Sequence, residues 1–370
     1  SEDNSANIDT KLQVFDPTTD TAGDSISYPT GYDDPESYVE PTITFPDATN
    51  IEITGEDEDV TAETEFVVAD SGTDIQNHAL VDLTIESEGD ALQVNKNNSQ
   101  VVFDNLDVNT TGTGLLVEAD SEDVNVVEVF DSEFEVDEEG IVLSNGTDGA
   151  KDADDRDVFV IHGTTVTGSG IGDRHTGLNL TDVEKPDKSG NSNFANVTPS
   201  LNVTDNTIED FGTQVDVGEN LTDINATAFL DESSPGVANV VIENNEFKQA
   251  VLVYDNSTQR ANDSLVGGDD DLYGSVNAAE DVAGADSDGD IIDVRGPSTT
   301  TQSAVVSYEH DGDVDNGNVE VATANVTVLG PVAAPGSSLD RNDETAIFDP
   351  INVTANNVTL DGFAVVADQG

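Results

Sequence analysis

Cysteine is absent from this chain of 370 residues, which excludes disulfides, zinc–thiolate centres and cysteine nucleophiles. Methionine is absent too, so the sequence does not start at an initiator, and Ser1 is expected to follow a removed signal or another processing step. Tryptophan is missing and aromatics make up 5%, leaving little of the stacking surface that glycan and nucleic-acid sites use. Basic residues are scarce: 11 Lys and Arg stand against 78 Asp and Glu, a formal charge of −67. Phosphate recognition needs clustered Lys and Arg, so nucleic acid is excluded as a partner, and an anionic lipid surface is disfavoured. No run approaches the ~20 apolar residues of a membrane span, and no direct membrane insertion is expected.

Such acidity, with 35% hydrophobic residues, raises the alternative of an acidic disordered chain. Internal repetition argues against it. Six segments align: LVDLTI (80–85), FDNLDV (103–108), FDSEFEV (130–136), IHGTTV (161–166), VTDNTIE (203–209) and IENNEF (242–247). Anchoring them on Leu83, Leu106, Phe134, Val166, Ile208 and Phe247 predicts that Val81, Asp104, Ser132, Thr164, Asn206 and Asn245 share a bend. Mostly small or polar, that column suits a ladder of side chains bonded from coil to coil. A second apolar run follows each anchor: ALQV (91–94), GLLVE (114–118), GIVLS (140–144), GLNL (177–180), TQVDV (213–217) and AVLVY (250–254). A third precedes several of them, as in VNVVEV (124–129), VFVI (158–161), SLNV (200–203) and ANVVI (238–242). Short β-branched strands at this recurrence cannot bury themselves singly. Stacked at about 4.8 Å they form parallel sheets around an apolar interior.

The expected fold is therefore all-β: a right-handed parallel β-helix, a solenoid with an irregular N-terminal leader and a C-terminal β segment. Its divisions are 1–75, leader and opening coil; 76–258, β-helix; 259–300, an acidic Gly/Asp-rich loop or linker; and 301–370, a C-terminal β region. Within the last, residues 344–366 again read like the start of a β-helix. A β-sandwich explains the strand density but not the repeated polar-x-apolar signature.

The unit VVIENNEFKQAVLVYDNST (240–258) resembles the parallel β-helix repeat of the pectin-lyase-like superfamily. Over roughly 75–258 that resemblance implies fold rather than activity, since the superfamily holds lyases, galacturonases, tailspikes and NosD-like proteins. The composition is also similar to that of haloarchaeal secreted and surface glycoproteins.

Lyases of this fold use a basic residue with Ca²⁺, which directs attention to Lys151, Arg156, Lys185, Lys188, Lys248 and the pair Arg174–His175 beside Asp173. The galacturonase pattern is incomplete: Asp154–Asp155 is present, but His162–Gly163 lacks its preceding glycine and no R-x-K follows. The four histidines, His78, His162, His175 and His310, have no metal-ligand spacing. No catalytic residue is assigned, and the chain reads as structural rather than enzymatic. Ca²⁺ is the one candidate cofactor. Asp286, Asp288 and Asp290 alternate along one loop and Asp311, Asp313 and Asp315 along another, offering the oxygen ligands a hard cation prefers.

N-glycosylation triplets begin at Asn97, Asn109, Asn145, Asn179, Asn196, Asn202, Asn220, Asn225, Asn256, Asn262, Asn325, Asn352 and Asn357. They point to an extracellular or cell-surface location. The expectation is a structural or adhesive glycoprotein of a halophile, a self-associating subunit of a surface filament or coat that assembles by end-to-end β stacking and is open to extracellular glycans. A polysaccharide lyase or hydrolase, or a viral glycan-binding tailspike, is the alternative.

Overall fold

Short apolar runs bounded by turn formers become strands, and most pair in parallel with the equivalent run of the next repeat. The computed structural model describes residues 24–28, 42–45, 51–55, 61–63, 65–68, 76–94, 99–118, 126–144, 158–170, 175–183, 201–217, 221, 224, 226–230, 235–236, 240–247, 250–254, 271–283, 290–295, 307–308, 319–330, 345–347, 351–361 and 363–365.

The chain begins with β1 (Asp24–Tyr28), β2 (Thr42–Phe45), β3 (Ile51–Gly55), β4 (Thr61–Glu63) and β5 (Glu65–Val68). Next come the long β6 (Gln76–Ser87) with the short β7 (Leu92–Val94), and the long β8 (Ser99–Thr110) with β9 (Leu115–Glu118). The following turns use three strands each. They are β10 (Val126–Phe130), β11 (Glu133–Val136) and β12 (Ile141–Ser144), then β13 (Val158–His162), β14 (Thr165–Gly168) and β15 (Thr176–Asp182). After β16 (Leu201–Thr204), β17 (Thr207–Glu209) and β18 (Thr213–Asp216) comes the single turn α1 (Thr227–Leu230). The series ends with β19 (Val240–Glu243), β20 (Glu246–Phe247) and β21 (Ala250–Tyr254).

The fold is all-β with large, mainly parallel sheets. One has 13 strands, its main path running β19-β16-β13-β10-β8-β11-β14-β17-β20. The first half of β8 pairs with β10 and its second half with β11, so the sheet curls around this bent strand. The second sheet has 12 strands, from β2 through β5, β7, β9, β12, β15 and β18 and onward. This arrangement overturns the expected identification as a pectin-lyase-like β-helix protein. Two of the three strands in each turn belong to one curled sheet continuous through β6 and β8. The described residues form two large parallel-rich sheets, and membership of that family does not follow from them.

Register explains the core. Ile85, Val108, Phe134, Val166, Ile208 and Phe247 stack as one buried column. Leu80, Phe103, Val129, Ile161, Val203 and Ile242 form another. In the second sheet Phe66, Leu92, Leu115, Ile141, Leu178 and Val215 face them. In strands such as β5, β7, β10 and β11 the period-2 alternation buries one face, at about 25 cal/mol per Å² of apolar surface.

The stretch read as a linker holds structure of its own: β22 (Leu272–Tyr273), α2 (Val276–Ala283) and β23 (Ile291–Arg295). Here the parallel order breaks. β22 runs antiparallel to β18 and to β21, and β21 runs antiparallel to β23. Beyond the reversal lie β24 (Ser307–Tyr308), β25 (Val319–Val321), β26 (Thr327–Leu329), β27 (Thr345–Ile347), β28 (Ile351–Val353), β29 (Thr359–Asp361) and β30 (Phe363–Val365). They stack in parallel as β23-β26-β29, β24-β27-β30 and β25-β28. This C-terminal stack has a core of its own. Ala250, Leu252 and Tyr254 of β21 point into the first core, whereas Val251 and Val253 join Ile292, Val294, Val321 and Val328 in the second. Helix α2 contributes Val276, Ala279 and Ala283 to that second core.

Where the second sheet is entered, Ala91, Gly114, Gly140, Gly177 and Gln214 occupy equivalent places. A Cβ on Gly140 would overlap the carbonyl oxygen of Gly177, so the tight stacking of these turns needs glycine. Gln214 ends the run fully buried, with neither amide atom hydrogen-bonded. A buried amide without partners costs about 1–3 kcal/mol. Gln214→Met, of similar length, is therefore expected to raise stability by about 1–2 kcal/mol, read as a higher urea midpoint.

Candidate functional site

The bend between the first and second strands of each turn gathers most of the described polar chemistry. One residue per turn takes a left-handed backbone there: Asp82 (φ 56), Asn105 (φ 53), Asp131 (φ 46), Gly163 (φ 65), Asp205 (φ 58) and Asn244 (φ 57). Asp, Asn and Gly are the residues that tolerate αL, which is why the chain turns at these points. Amides bridge acids along the column: Asn105 Nδ2 donates to Asp82 Oδ1 at 2.7 Å, and Asn244 Nδ2 to Asp205 Oδ1 at 3.2 Å.

The next residue of each turn points inward. Ser132, Thr164, Asn206 and Asn245 are buried in line, and the places below them hold Leu106 and Leu83. Leu106 N–H donates to Ser132 Oγ (3.1 Å), Thr164 N–H to Asn206 Oδ1 (2.9 Å) and Asn206 N–H to Asn245 Oδ1 (3.3 Å). Ser132, Asn206 and Asn245 thus each satisfy a backbone donor of the turn before, while the Thr164 hydroxyl donates to the His162 carbonyl of its own turn at 3.2 Å. Val81 and Asp104, placed in this ladder from sequence, lie on the outer face instead.

Outside the bend, His162 Nδ1 is 3.0 Å from Thr204 Oγ1 and 3.4 Å from Asp205 Oδ2, with Phe130 edge-on at 6.5 Å. Asp104 is pushed above the usual carboxylate range by burial and by the neighbouring charges of Asp131 and Asp82. Glu139 is raised by burial, against the opposing effect of its bond from the Thr176 backbone N–H. A raised folded-state pKa means the native chain holds more protons than the unfolded one, so stability falls as pH rises through it. Acidification from neutrality into the range just above pH ~4.5 is therefore expected to raise the melting temperature, measured at fixed high salt.

Few of the residues that the sequence singles out for chemistry fall among the described residues. Of the acidic loops, Asp286, Asp288, Asp311, Asp313 and Asp315 lie outside the described residues. Asp290 is buried and its backbone oxygen accepts from Thr327 N–H at 2.9 Å; Asp293, nearby, is buried as well. Among the described residues no three His, Cys, Asp or Glu side chains group to hold a metal. Lys151, Arg156, Asp173, Arg174, Lys185, Lys188, Lys248 and His310 also lie outside, and His175 is half-buried with its backbone oxygen bonded to Thr213 N–H. Among the acceptor asparagines, Asn109, Asn325, Asn352 and Asn357 are exposed, and Asn179 and Asn202 are half-buried on strands. Asn357 Nδ2 donates to Asn325 Oδ1 at 2.9 Å, joining two of them across adjacent turns. Asn97, Asn145, Asn196, Asn220, Asn225, Asn256 and Asn262 fall outside the described residues. No helix among the described residues is long and apolar enough to cross a membrane.

No family model, no curated protein and no solved structure matches this chain. The resemblance to pectin-lyase-like proteins and to haloarchaeal surface glycoproteins thus has no relative behind it, and the functional reading rests on the chain's own geometry.

Proposed function

We propose that this chain is a salt-adapted extracellular structural or adhesive glycoprotein, its sheets wound as a right-handed parallel β-helix, that associates through the ends of its stack. The observation that carries the reading is the outer surface of the second strands. Asp107, Asn109, Glu133 and Glu135 stand exposed along β8 and β11, a repetitive acid–amide surface with no basic side chain among them. Such a face repels anionic glycans and suits display over a regular scaffold. Right-handed crossovers are the strong preference for parallel strands joined within one sheet, which supports the winding. Exposed acceptor asparagines away from the last rung, Asn109 and Asn325, support carbohydrate attachment.

The test is made on secreted protein at high salt. Intact-mass measurement before and after deglycosylation is expected to show several glycans. Incubation with a panel of acidic and neutral polysaccharides is expected to release no new reducing or unsaturated ends. Robust cleavage of any glycan would sink the structural reading.

A further inference from the structure

Among the described residues, the last rung of the C-terminal stack leaves part of its core exposed. Ile292, Val328 and Leu360 form one column by register, with exposures of 0%, 2% and 40%. Val321 and Val353 form another, at 0% and 42%. Val353 and Leu360 are the exposed large hydrophobics among the described residues, and both continue columns that are sealed one turn earlier. The same rung supplies the terminal strands of three sheets: β28, β29 and β30. Strand edges carrying unpaired backbone groups over an open core invite another strand.

Charge narrows what that strand can belong to. Residues 351–365 contain a single charged side chain, Asp361, in a chain of net charge −67. This rung is where a second strongly acidic molecule can approach without meeting a wall of carboxylates.

Strand direction narrows it further. From β2 to β18 the 12-stranded sheet is parallel, then three successive antiparallel pairings, β18–β22, β22–β21 and β21–β23, leave β29 running opposite to β2. The two cores also lie on opposite faces of β21. A copy added by translation would set β2 against β29 with its core on the wrong side. A copy rotated by 180° about the sheet normal sets β29 antiparallel to its equivalent, with both cores on the same side.

We propose that two copies of this chain pair tail to tail across a two-fold axis at β29, sealing Leu360 and Val353 of each in one continuous core. The proposal rests on the reading of end-directed association and specifies which end and which symmetry. It is an isologous contact, closed at two subunits, rather than a filament joint.

Sedimentation of the full chain at about 2 M KCl tests it, at a salt level where the Debye length is below the ~3 Å of 1 M salt. A concentration-dependent dimer is expected. Leu360→Asp and, separately, Val353→Asp are each expected to raise the dissociation midpoint at least ~10-fold with unchanged circular dichroism, because a buried unpaired carboxylate is costly. Exposed Glu133→Gln on β11 is the control and leaves the dimer intact. The absence of native cysteine permits a direct symmetry test with single cysteines at 359, 360 and 361. Equivalent residues facing across an antiparallel pair lie about 4.5–5.5 Å apart at Cα, within disulfide reach, so at least one variant is expected to form a homodisulfide dimer. A monomer at every concentration overturns the proposal, as do open-ended polymers that Leu360→Asp dissolves. So does a monomer whose β29 amides are already fully protected from exchange, which would mean that the chain covers its own end. Glycan cleavage would sink the structural reading and leave this dimer standing; a monomer that cleaves no glycan would do the reverse.

Discussion

Dialysis from about 2 M to about 0.02 M KCl at neutral pH is expected to abolish the β-sheet circular dichroism of this protein, and returning the salt to restore it. The cause is the charge of −67 carried on a scaffold that stacks equivalent residues at strand spacing. Asp107 and Glu133 are direct register partners on the outer face. Two charges about 5 Å apart repel by roughly 0.8 kcal/mol in bulk water before screening. Much of the sequence softens this locally. In the bend column Asn105 separates Asp82 from Asp131, and Gly163 separates Asp131 from Asp205. On the outer face Asn109 lies between Glu86 and Glu135 and bonds to the latter at 3.4 Å. Interleaving handles nearest neighbours but leaves the long-range sum untouched. That sum is screened within about 3 Å at 1 M salt and reaches about 30 Å at 0.01 M. Net stabilities of about 5–15 kcal/mol cannot absorb dozens of unscreened pairs of this size. Retention of the β signal at low salt, without added divalent cations, would refute a halophilic role for the acidity.

The recurrence of strands was legible because burial imposes it. Runs such as IVLS and AVLVY became β12 and β21, and VFVI became most of β13. Register was less legible. The repeated Phe-Asp of FDNLDV and FDSEFEV suggests aligning Phe103 with Phe130, yet Phe103 pairs with Val129 and Asp104 with Phe130. Phe130 faces outward against His162, so a large aromatic at a surface position shifted the apparent frame. The anchors chosen in the first two turns, Leu83 and Leu106, accordingly belong to the ladder column, and Ile85 and Val108 stack beneath Phe134. The αL column left a readable trace, an Asp, Asn or Gly just before each ladder residue, which becomes meaningful once register is known. The reversal after β21 was hidden by Gly and Asp around it. Its one signal was Val276, Ala279 and Ala283 at helical spacing, enough to have marked α2. Nothing in the composition of 344–366 separates a cap from a new stack; pairing direction does.

The ladder itself provides the second large effect. Asn206 is 2% exposed and its amide meets three partners: Oδ1 accepts from Thr164 N–H at 2.9 Å, and Nδ2 donates to Ile161 O at 2.9 Å and Asn245 Oδ1 at 3.0 Å. Asn206→Ala strips all three at once in a place water does not reach. Each buried group left unmet costs about 1–3 kcal/mol, so a loss of about 3–5 kcal/mol is expected, seen as a large fall in the urea midpoint at high salt. The leucines at 83 and 106 do not make Asn206→Leu harmless, because Thr164 N–H, in the turn before, would still lose its acceptor. Asn206→Asp separates hydrogen bonding from cavity formation, since it preserves shape. Its ionised form would keep the bond from Thr164 but turn a carboxylate oxygen toward the Ile161 carbonyl and Asn245 Oδ1, both acceptors. Burial and that lone-pair conflict raise its folded-state pKa, so the aspartate variant is weakest at neutral pH and recovers as pH falls and the protonated acid donates in place of the amide. The alanine variant has no group to titrate there and gains nothing specific from acid. Equal pH profiles for the two substitutions would show that the ladder's hydrogen bonds are not what holds these turns together.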